Sequence, residues 1–129
     1  MENLETERLI LRQWKDEDYV PYAKLNADPN VMRYFPSMHS RQRSDEQATI
    51  FRDLITENGW GFWAVELTAT GQFIGFVGLH GQDKESGLPH APMIEIGWRL
   101  AAEFWGKGYA PEAAAKALRY AFETLSASA

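Results

Sequence analysis

The chain has 129 residues, and its 13 basic and 18 acidic side chains give a formal net charge of −5 at pH 7. With 45% apolar and 24% charged residues, this length fits one globular domain and excludes a disordered acidic tail. The acidic balance argues against broad nucleic-acid binding, and the absence of cysteine excludes disulfides, thiolate zinc sites and a cysteine nucleophile.

Neither membrane insertion nor secretion is indicated. No apolar run reaches the roughly 18 residues that a membrane span needs. The N-terminus is acidic and polar, without the basic start and apolar stretch of a secretory signal. We therefore expect a cytoplasmic protein.

The N-terminal segment predicts a strand followed by a helix. Alternating apolar and polar residues over Arg8–Trp14 predict a short strand with one mostly solvated face, which includes Arg12. Asp16 is a suitable N-cap for the helix that follows. That helix should end near Ala27, because Pro29 disfavours helical geometry at the residue before it.

Two more helices are predicted before the spacing of apolar residues changes from helical to strand-like, near residue 60. Asn30–Tyr34 is expected to form a short helix with Asp28 as its cap. A longer helix is expected over Ser44–Glu57, because Ser44 and Gln47 have the spacing of a capping box. The Asn-Gly dipeptide that follows should end this helix.

The second half of the chain predicts three strands and a final helix. Trp60–Leu67 and Phe73–His80 predict a hairpin of two central strands, and Met93–Leu100 predicts a further strand. Apolar residues at helical spacing then form one stripe, whose many alanines let a helix approach a sheet closely. The stripe comprises Ala110, Ala113, Ala114, Ala117, Leu118, Ala121, Phe122 and Leu125.

The stretch from Glu95 to Glu112 is the part most informative about chemistry. It runs from a strand through Gly106-Lys107-Gly108 into a helix N-terminus, where unpaired amides and the positive dipole end suit an anion. This arrangement predicts a phosphate or pyrophosphate site, and the alternative is a tight strand–helix turn without a ligand. The P-loop pattern is excluded by Ala101 and the dinucleotide pattern by Pro111, each of which stands where a glycine is required.

Three segments match the pattern of a known family in order and spacing. They are Thr6–Arg12, Asp28–Pro36, and Glu95–Trp98 followed by Trp105–Ala113. They resemble, in turn, the first strand, the second helix, and the strand with its pyrophosphate loop of the GNAT N-acetyltransferases. The resemblance is greatest to the ribosomal-protein N-terminal (RimJ/RimL-like) branch, and it covers essentially the whole chain.

The resemblance implies an α/β (α+β) GNAT fold, a mostly antiparallel sheet of about four strands flanked by helices, as a single domain over residues 1–129. It also implies direct transfer of an acetyl group from acetyl-CoA to a primary amine of a protein or a small molecule. Loop amides would hold the CoA pyrophosphate, and the strand edge near Ile96 and Trp98 would pair with the pantetheine arm. The loop residues concerned are Phe104, Trp105, Gly106, Lys107, Gly108, Tyr109 and Ala110.

Glu95 is the candidate general base, because the attacking amine must lose a proton and Glu95 lies on the strand face away from the apolar row. The alternative is a solvated residue or one paired with Arg99 on the same face. Under the resemblance, Arg33, Tyr34 and Phe35 line the acceptor pocket; alternatively, the two rings only pack the second helix onto the sheet. The histidines lack the spacing of metal ligands, so no metal site is expected.

Compared with the family pattern, the sequence stops before the strand, helix and closing strands that follow the last predicted helix. We therefore expect a C-terminally truncated domain, or one that a partner chain completes. Met93–Leu100 would then form an open sheet edge, which favours self-association through this edge or the Ala-rich helix. The alternative function is a CoA-binding or interaction module without catalysis.

Overall fold

The computed structural model describes residues 3–33, 38–82 and 93–125, with the backbone alone for residues 81–82, 93–95 and 125. The strands are β1 (Leu4–Glu5), β2 (Leu9–Arg12), β3 (Phe62–Leu67), β4 (Phe73–Gln82) and β5 (Met93–Leu100). The helices are α1 (Tyr19–Asn26), α2 (Arg41–Asn58) and α3 (Tyr109–Tyr120), with 3-10 turns at Asp16–Asp18 and Ala102–Phe104 and a π-helical turn at Ala121–Leu125.

The strands form one antiparallel sheet in the order β1-β2-β3-β4-β5. The predicted architecture is confirmed, with β1 as an additional short strand. Successive residues of β3 show how the helices are arranged, because neighbouring strand residues point to opposite faces. Phe62 contacts Phe51 of α2, whereas Trp63 contacts Tyr120 of α3. Helices α1 and α2, which pack on each other, therefore cover one face, and α3 covers the other.

The solvated face predicted for the first long strand is wrong at Arg12, which is 6% exposed. Its guanidinium donates to Asp18 and to Glu66, at 2.7 Å in each case. Burial alone would lower the pKa of Arg12, but the hydrogen bonds with these two carboxylates raise it. Arg12 is thus a buried cation held between two acidic partners rather than a surface charge.

The N-cap predicted at Asp16 is also wrong. Residues 16–18 form a 3-10 turn before α1, and the side chain that accepts from the Lys15 amide, at 2.8 Å, is that of Asp18. Asp18 is 1% exposed and also binds Arg12. The turn is therefore fixed by a buried carboxylate that the sheet holds in place.

The short helix predicted at Asn30–Tyr34 is not formed by the described residues. Asp28 does cap this segment, because its carboxylate accepts from the Asn30 amide at 2.8 Å and its carbonyl accepts from the Met32 amide at 3.0 Å. Residues 29–33 then form turns only, and the last residue of the prediction, Tyr34, lies outside the described residues. The side chains of Val31 and Met32 are buried in the core.

Helix α2 begins at Arg41, before the predicted start at Ser44. Ser40 is the N-cap, and its hydroxyl accepts from the Arg43 amide at 3.1 Å. Ser44 is instead fully buried inside the helix and accepts from the Asn26 side-chain amide at 3.0 Å. The predicted end is confirmed by Gly59, the C-cap, with a φ of 81°.

The predicted hairpin of β3 and β4 and the bounds of β5 are confirmed. β4 continues to Gln82, so His80 lies within a strand rather than at its end. At Gly78 the backbone approach requires glycine, because a Cβ atom there would lie 2.0 Å from the Gly61 carbonyl oxygen. The backbone of β4 at Gly78 therefore lies against the backbone of Gly61, just before β3, and leaves no space for a side chain.

Helix α3 packs on the sheet through Ala113 and Ala117, both fully buried. The longer stripe predicted as far as Leu125 is not wholly buried, because Leu118 is 42% and Phe122 is 72% exposed. The physical reason is geometric: the face of α3 centred on the two buried alanines touches the sheet, and the larger side chains lie beside that contact. The regular helix also ends at Tyr120 and widens into the π-helical turn.

Candidate active site

The loop between β5 and α3 starts with a compact turn. The Ala101 amide donates to the Ile74 carbonyl of β4 at 3.0 Å, which anchors the turn to the sheet. The amides of Phe104 and Trp105 donate to the carbonyls of Ala101 and Ala102, at 3.0 and 3.1 Å. These two amides are therefore used within the turn, so the prediction that they hold pyrophosphate needs correction.

The remainder of the loop has backbone donors available. Gly106 and Gly108 have φ values of 76° and 83°, in the left-handed region that favours glycine. The first amide after them with a backbone acceptor is that of Glu112, which donates to the Gly108 carbonyl at 3.2 Å. Within the described part of the chain, no acceptor is found for the amides of residues 106–110. These amides stand at the positive end of α3 and can bind an anion.

Arg8, which immediately precedes β2, holds this loop in place. Its guanidinium donates to the Lys107 carbonyl at 3.0 Å and lies over the Tyr109 ring, 4.6 Å from the centroid. A Cβ atom at Gly108 would lie 3.3 Å from the same guanidinium. Arg8 therefore fixes the carbonyl side of the loop, and the amides remain available.

Glu112 completes this attachment. Its carboxylate accepts from the Thr6 hydroxyl, from the Arg8 amide at 3.0 Å and from the Arg8 Nε at 2.7 Å. Burial raises the pKa of Glu112, but the hydrogen bonds from Thr6 and Arg8 outweigh it and leave the pKa below its usual value. The Glu112 carboxylate thus links α3 to the segment before β2.

Strand β5 presents different side chains on its two faces. On the α3 face Ile96 is partly buried and Trp98 is 53% exposed. Among the described residues, β5 pairs with β4 only, so its other edge has no strand partner there. The backbone of this edge is available to an extended ligand such as the one predicted near Ile96 and Trp98.

The opposite face of β5 carries Glu95, Gly97 and Arg99. Glu95 pairs in register with His80 of β4, and its side chain lies outside the described atoms. A Cβ atom at Gly97 would lie 3.2 Å from the Phe62 ring, so this ring covers the middle of the face. The face therefore has polar residues at both ends and an aromatic ring between them.

Arg99 joins β5 to both helices on that face. Its Nη1 donates to the Asn26 carbonyl oxygen at 2.8 Å, and to the Tyr22 hydroxyl and the Gln47 side-chain oxygen at 3.3 Å. Burial lowers the pKa of Arg99, and the interaction with Tyr22 opposes that shift. Burial also raises the pKa of Tyr22. This buried polar cluster was not predicted from the sequence.

The family is established by comparison with known proteins. A family model described as "Acetyltransferase (GNAT) domain" matches residues 8–129. The chain belongs to the GNAT acetyltransferase family. Among its relatives, the uncharacterized N-acetyltransferase p20 of Bacillus licheniformis is 33% identical over 129 residues, covering 98% of this chain and 69% of the relative.

Solved structures agree with this assignment. An acetyltransferase from Agrobacterium tumefaciens has a TM-score of 0.79 and 30% identity, covering 97% of this chain and 69% of that one. RimL, a ribosomal L7/L12 alpha-N-protein acetyltransferase solved with coenzyme A, has a TM-score of 0.67 and 16% identity, covering 93% and 68%. The latter shows the fold alone. The chain is thus an N-acetyltransferase domain that spans about two thirds of the length of these relatives.

The remaining predicted residues of this GNAT domain are only partly described. Arg33 lies on an exposed turn, whereas Tyr34 and Phe35 lie outside the described residues. No cluster that could hold a metal ion is found among the residues that the structure describes. In the same part of the chain, no helix is long and apolar enough to cross a membrane.

Sequence reasoning missed the role of Arg8 in this GNAT loop, although Thr6–Arg12 was one of the matching segments. The contact joins residues 104 positions apart, which no local pattern reveals. The only available signal was an arginine at the start of a segment that otherwise has strand character.

Proposed function

We propose that this chain transfers an acetyl group from acetyl-CoA to a primary amine by direct attack of the amine on the thioester. The observation that carries the proposal is the set of amides at residues 106–110, which lack acceptors among the described residues and lie at the N-terminus of α3. Backbone amides there suit the pyrophosphate of CoA. The residues of the loop fit that group, because Gly106 has nothing within 4 Å of where a Cβ would stand.

The donor is proposed to run from this loop along the open edge of β5. The pyrophosphate contacts the amides from Gly106 to Ala110, with Lys107 supplying charge at the entrance. The pantetheine arm, an extended chain with amide groups, pairs with the β5 backbone near Ile96 and Trp98. Phe104 and Trp105 shape the turn that precedes the amides and contribute no donors of their own.

The acceptor amine is proposed to approach from the face that carries Glu95. This residue removes a proton from the amine before attack. Arg33, Tyr34 and Phe35 contribute to the acceptor pocket. Protein α-amines, the acceptor class in the name of RimL, and small-molecule amines are the two acceptor classes that we propose to test. We place this single domain, residues 1–129, in the cytoplasm.

Calorimetric titration with acetyl-CoA tests the donor site. We expect micromolar binding, about −8 kcal/mol, for the unmodified chain. Gly106→Val should abolish it, because the substitution disturbs the left-handed backbone of the loop. Gly71→Val is the matched control, since Gly71 also has a positive φ, of 74°, and open space around its Cβ position. Retained binding in Gly106→Val, with the control folded, would refute the assignment of the loop.

Acetyl transfer is measured with three probe amines: a short peptide with a free N-terminus, spermidine and an amino-sugar nucleotide. We expect turnover of at least one probe, and loss of that turnover in Glu95→Gln with acetyl-CoA binding retained. Binding without turnover of any probe would support the non-catalytic CoA-binding module instead. Unchanged turnover in Glu95→Gln would remove Glu95 as the base.

Self-association is part of the proposal. Leu118 and Phe122 near the C-terminal end of α3 are large apolar side chains that are 42% and 72% exposed, and exposed apolar side chains of this kind favour contact with a second copy of the chain. The outer edge of β5 stays available to the pantetheine arm in this arrangement. We expect a dimer in sedimentation velocity at tens of micromolar. A clean monomer at that concentration would refute self-association without affecting the proposed chemistry.

A further inference from the structure

One side chain of the loop after β5 binds back to the strand itself. The Trp105 indole Nε1 donates to the Leu100 carbonyl oxygen at 2.9 Å. The Trp105 amide is used separately, because it donates to the Ala102 carbonyl at 3.1 Å. Trp105 is therefore attached through both its backbone and its side chain, although the residue is 49% exposed. The position of this half-exposed ring is thus fixed by hydrogen bonding and not only by packing.

The Leu100 carbonyl points to the open edge of β5. The Ala101 amide donates to the Ile74 carbonyl at 3.0 Å, so the N–H of this peptide faces β4. The C=O of the same trans peptide points in the opposite direction, away from β4. The Arg99 carbonyl faces β4, since a Cβ atom at Gly75 would lie 2.1 Å from its oxygen. Carbonyl directions alternate along an antiparallel strand, which agrees with this geometry. The indole thus occupies an acceptor on the edge of β5 that has no strand partner among the described residues.

The same alternation identifies the backbone groups that this edge offers to a ligand. In an antiparallel strand, the N–H and C=O of one residue face the same edge, and every second residue faces that edge. Ile96 and Trp98 therefore face the open edge together with Leu100. Because the indole takes the Leu100 carbonyl, the last carbonyl on this edge without a partner in the described part of the chain is that of Trp98.

We propose that Trp105 is a positioning residue for the pantetheine arm of the donor, an inference that rests on the proposed function. The indole N–H ends the pairing edge at Trp98, and the same bond fixes the following amides relative to the strand. The arm therefore leaves the strand at one position and continues to the amides at residues 106–110. The chain sets the separation of the two donor contacts in advance, and such preorganisation lowers the cost of binding a flexible ligand.

Two competing explanations give Trp105 a smaller role. If its side chain only stabilises the turn, its loss disturbs the amides at residues 106–110 and weakens every ligand that carries a pyrophosphate. If the ring only packs, a phenylalanine at this position retains all binding. The positioning role predicts a third result, because loss of the N–H weakens only a ligand that has the arm as well as the pyrophosphate.

Calorimetric titration of Trp105→Phe with two ligands separates these explanations. Acetyl-CoA carries the pyrophosphate and the arm, whereas 3′-phosphoadenosine 5′-diphosphate carries the pyrophosphate alone. Phenylalanine keeps an aromatic ring but has no N–H. We expect acetyl-CoA binding to weaken about 3- to 10-fold, the range of one lost hydrogen bond. Binding of 3′-phosphoadenosine 5′-diphosphate should change by less than about twofold, which also shows that the loop of the variant is folded.

Two further variants calibrate the measurement. Gly106→Val should lose both ligands, because it disturbs the left-handed backbone that presents the amides. Trp60→Phe, the same change at a partly buried tryptophan before β3, should bind both ligands as the unmodified chain does. Equal weakening of both ligands in Trp105→Phe would overturn the inference in favour of a turn-stabilising role. Unchanged binding of both ligands would overturn it in favour of packing alone.

The unmodified chain distinguishes failure of this inference from failure of the proposed function. Acetyl-CoA should bind to it more tightly than 3′-phosphoadenosine 5′-diphosphate, because the arm adds contacts along β5. If the unmodified chain binds neither ligand, the proposed donor site is wrong and this inference fails with it. If it binds both equally tightly, the amides at residues 106–110 keep their proposed role, and the positioning role of Trp105 is overturned alone.

Discussion

Replacing Glu112 by glutamine is expected to destabilise the attachment between α3 and the segment before β2. The carboxylate accepts from the Thr6 hydroxyl, the Arg8 amide and the Arg8 guanidinium. Hydrogen bonds to charged groups contribute roughly 1.5–3 kcal/mol each when buried, and exposed ion pairs below about 1 kcal/mol. The Glu112 side chain is 20% exposed and that of Arg8 is 43% exposed. The contribution of the Glu112 hydrogen bonds to the free energy of unfolding should therefore lie between these two limits. We expect a loss of about 2 kcal/mol, or about 6 °C in Tm.

The loss should depend on pH in a specific direction. The pKa of Glu112 is lowered in the folded chain, whereas unfolded glutamates titrate near 4.3, roughly. The stabilisation from the Glu112 carboxylate is therefore fully present at a pH above the pKa that Glu112 has in the unfolded chain. It disappears as the pH falls through the pKa that Glu112 has in the folded chain. The difference between the unmodified chain and Glu112→Gln should be largest at neutral pH and vanish in acid.

Urea denaturation at several pH values measures this difference. Glu123→Gln, in the π-helical turn that follows α3, is the matched control, because the Glu123 ion pair with Arg119 is 3.5 Å long and about 70% exposed. The loss of stability in this control should stay below about 0.5 kcal/mol. Calorimetry should also show acetyl-CoA binding weakened about tenfold in Glu112→Gln, equivalent to about 1.4 kcal/mol. If Glu112→Gln is as stable as the control at neutral pH, the attachment does not hold the loop.

Three further predictions concern the rest of the fold. Asp18→Asn should lower the free energy of unfolding by about 3 kcal/mol in urea denaturation, since it leaves the buried Arg12 with Glu66 alone; a loss below about 1 kcal/mol would contradict this. Ile74→Ala should cost about 2–5 kcal/mol by thermal unfolding, because Ile74 is fully buried and a cavity would remain. Phe122→Ser should leave stability within about 0.5 kcal/mol, because the side chain is 72% exposed. The same variant should weaken the dimer in sedimentation, and an unchanged dimer would locate the interface elsewhere.

The hydrophobic period predicted the long helices and the longer strands, but not the short strand β1 and not which residues cap the helices. Ser40 and Ser44 are both suitable N-caps, and the helix begins at the first because Asn26 binds the second inside the core. Asp16 and Asp18 present the same ambiguity, which Arg12 resolves by binding Asp18. In both cases a contact with another element selects between equivalent local signals.

The same distinction between local signals and contacts with distant elements applies to the candidate site. The glycines at positions 106 and 108 and the start of α3 were predictable, because the requirement for positive φ and open amides is local. The attachments of Arg8 and Arg99 were not, since their partners lie on elements that are distant in sequence. Sequence patterns therefore predicted the geometry of the loop, and the structure adds the groups that hold the loop in place.

These two arginines give β5 and its loop their position relative to the rest of the domain. On one side, Arg8 attaches the loop after β5 to the segment before β2. On the other, Arg99 ties β5 itself to α1 and α2 through Asn26 and Gln47. Direct transfer requires the amine and the thioester to meet within a few tenths of an ångström of the productive geometry, roughly. In the proposed reaction, the donor loop and the acceptor face are both attached to this one strand, so changes on either side of the sheet should act on the same reacting pair.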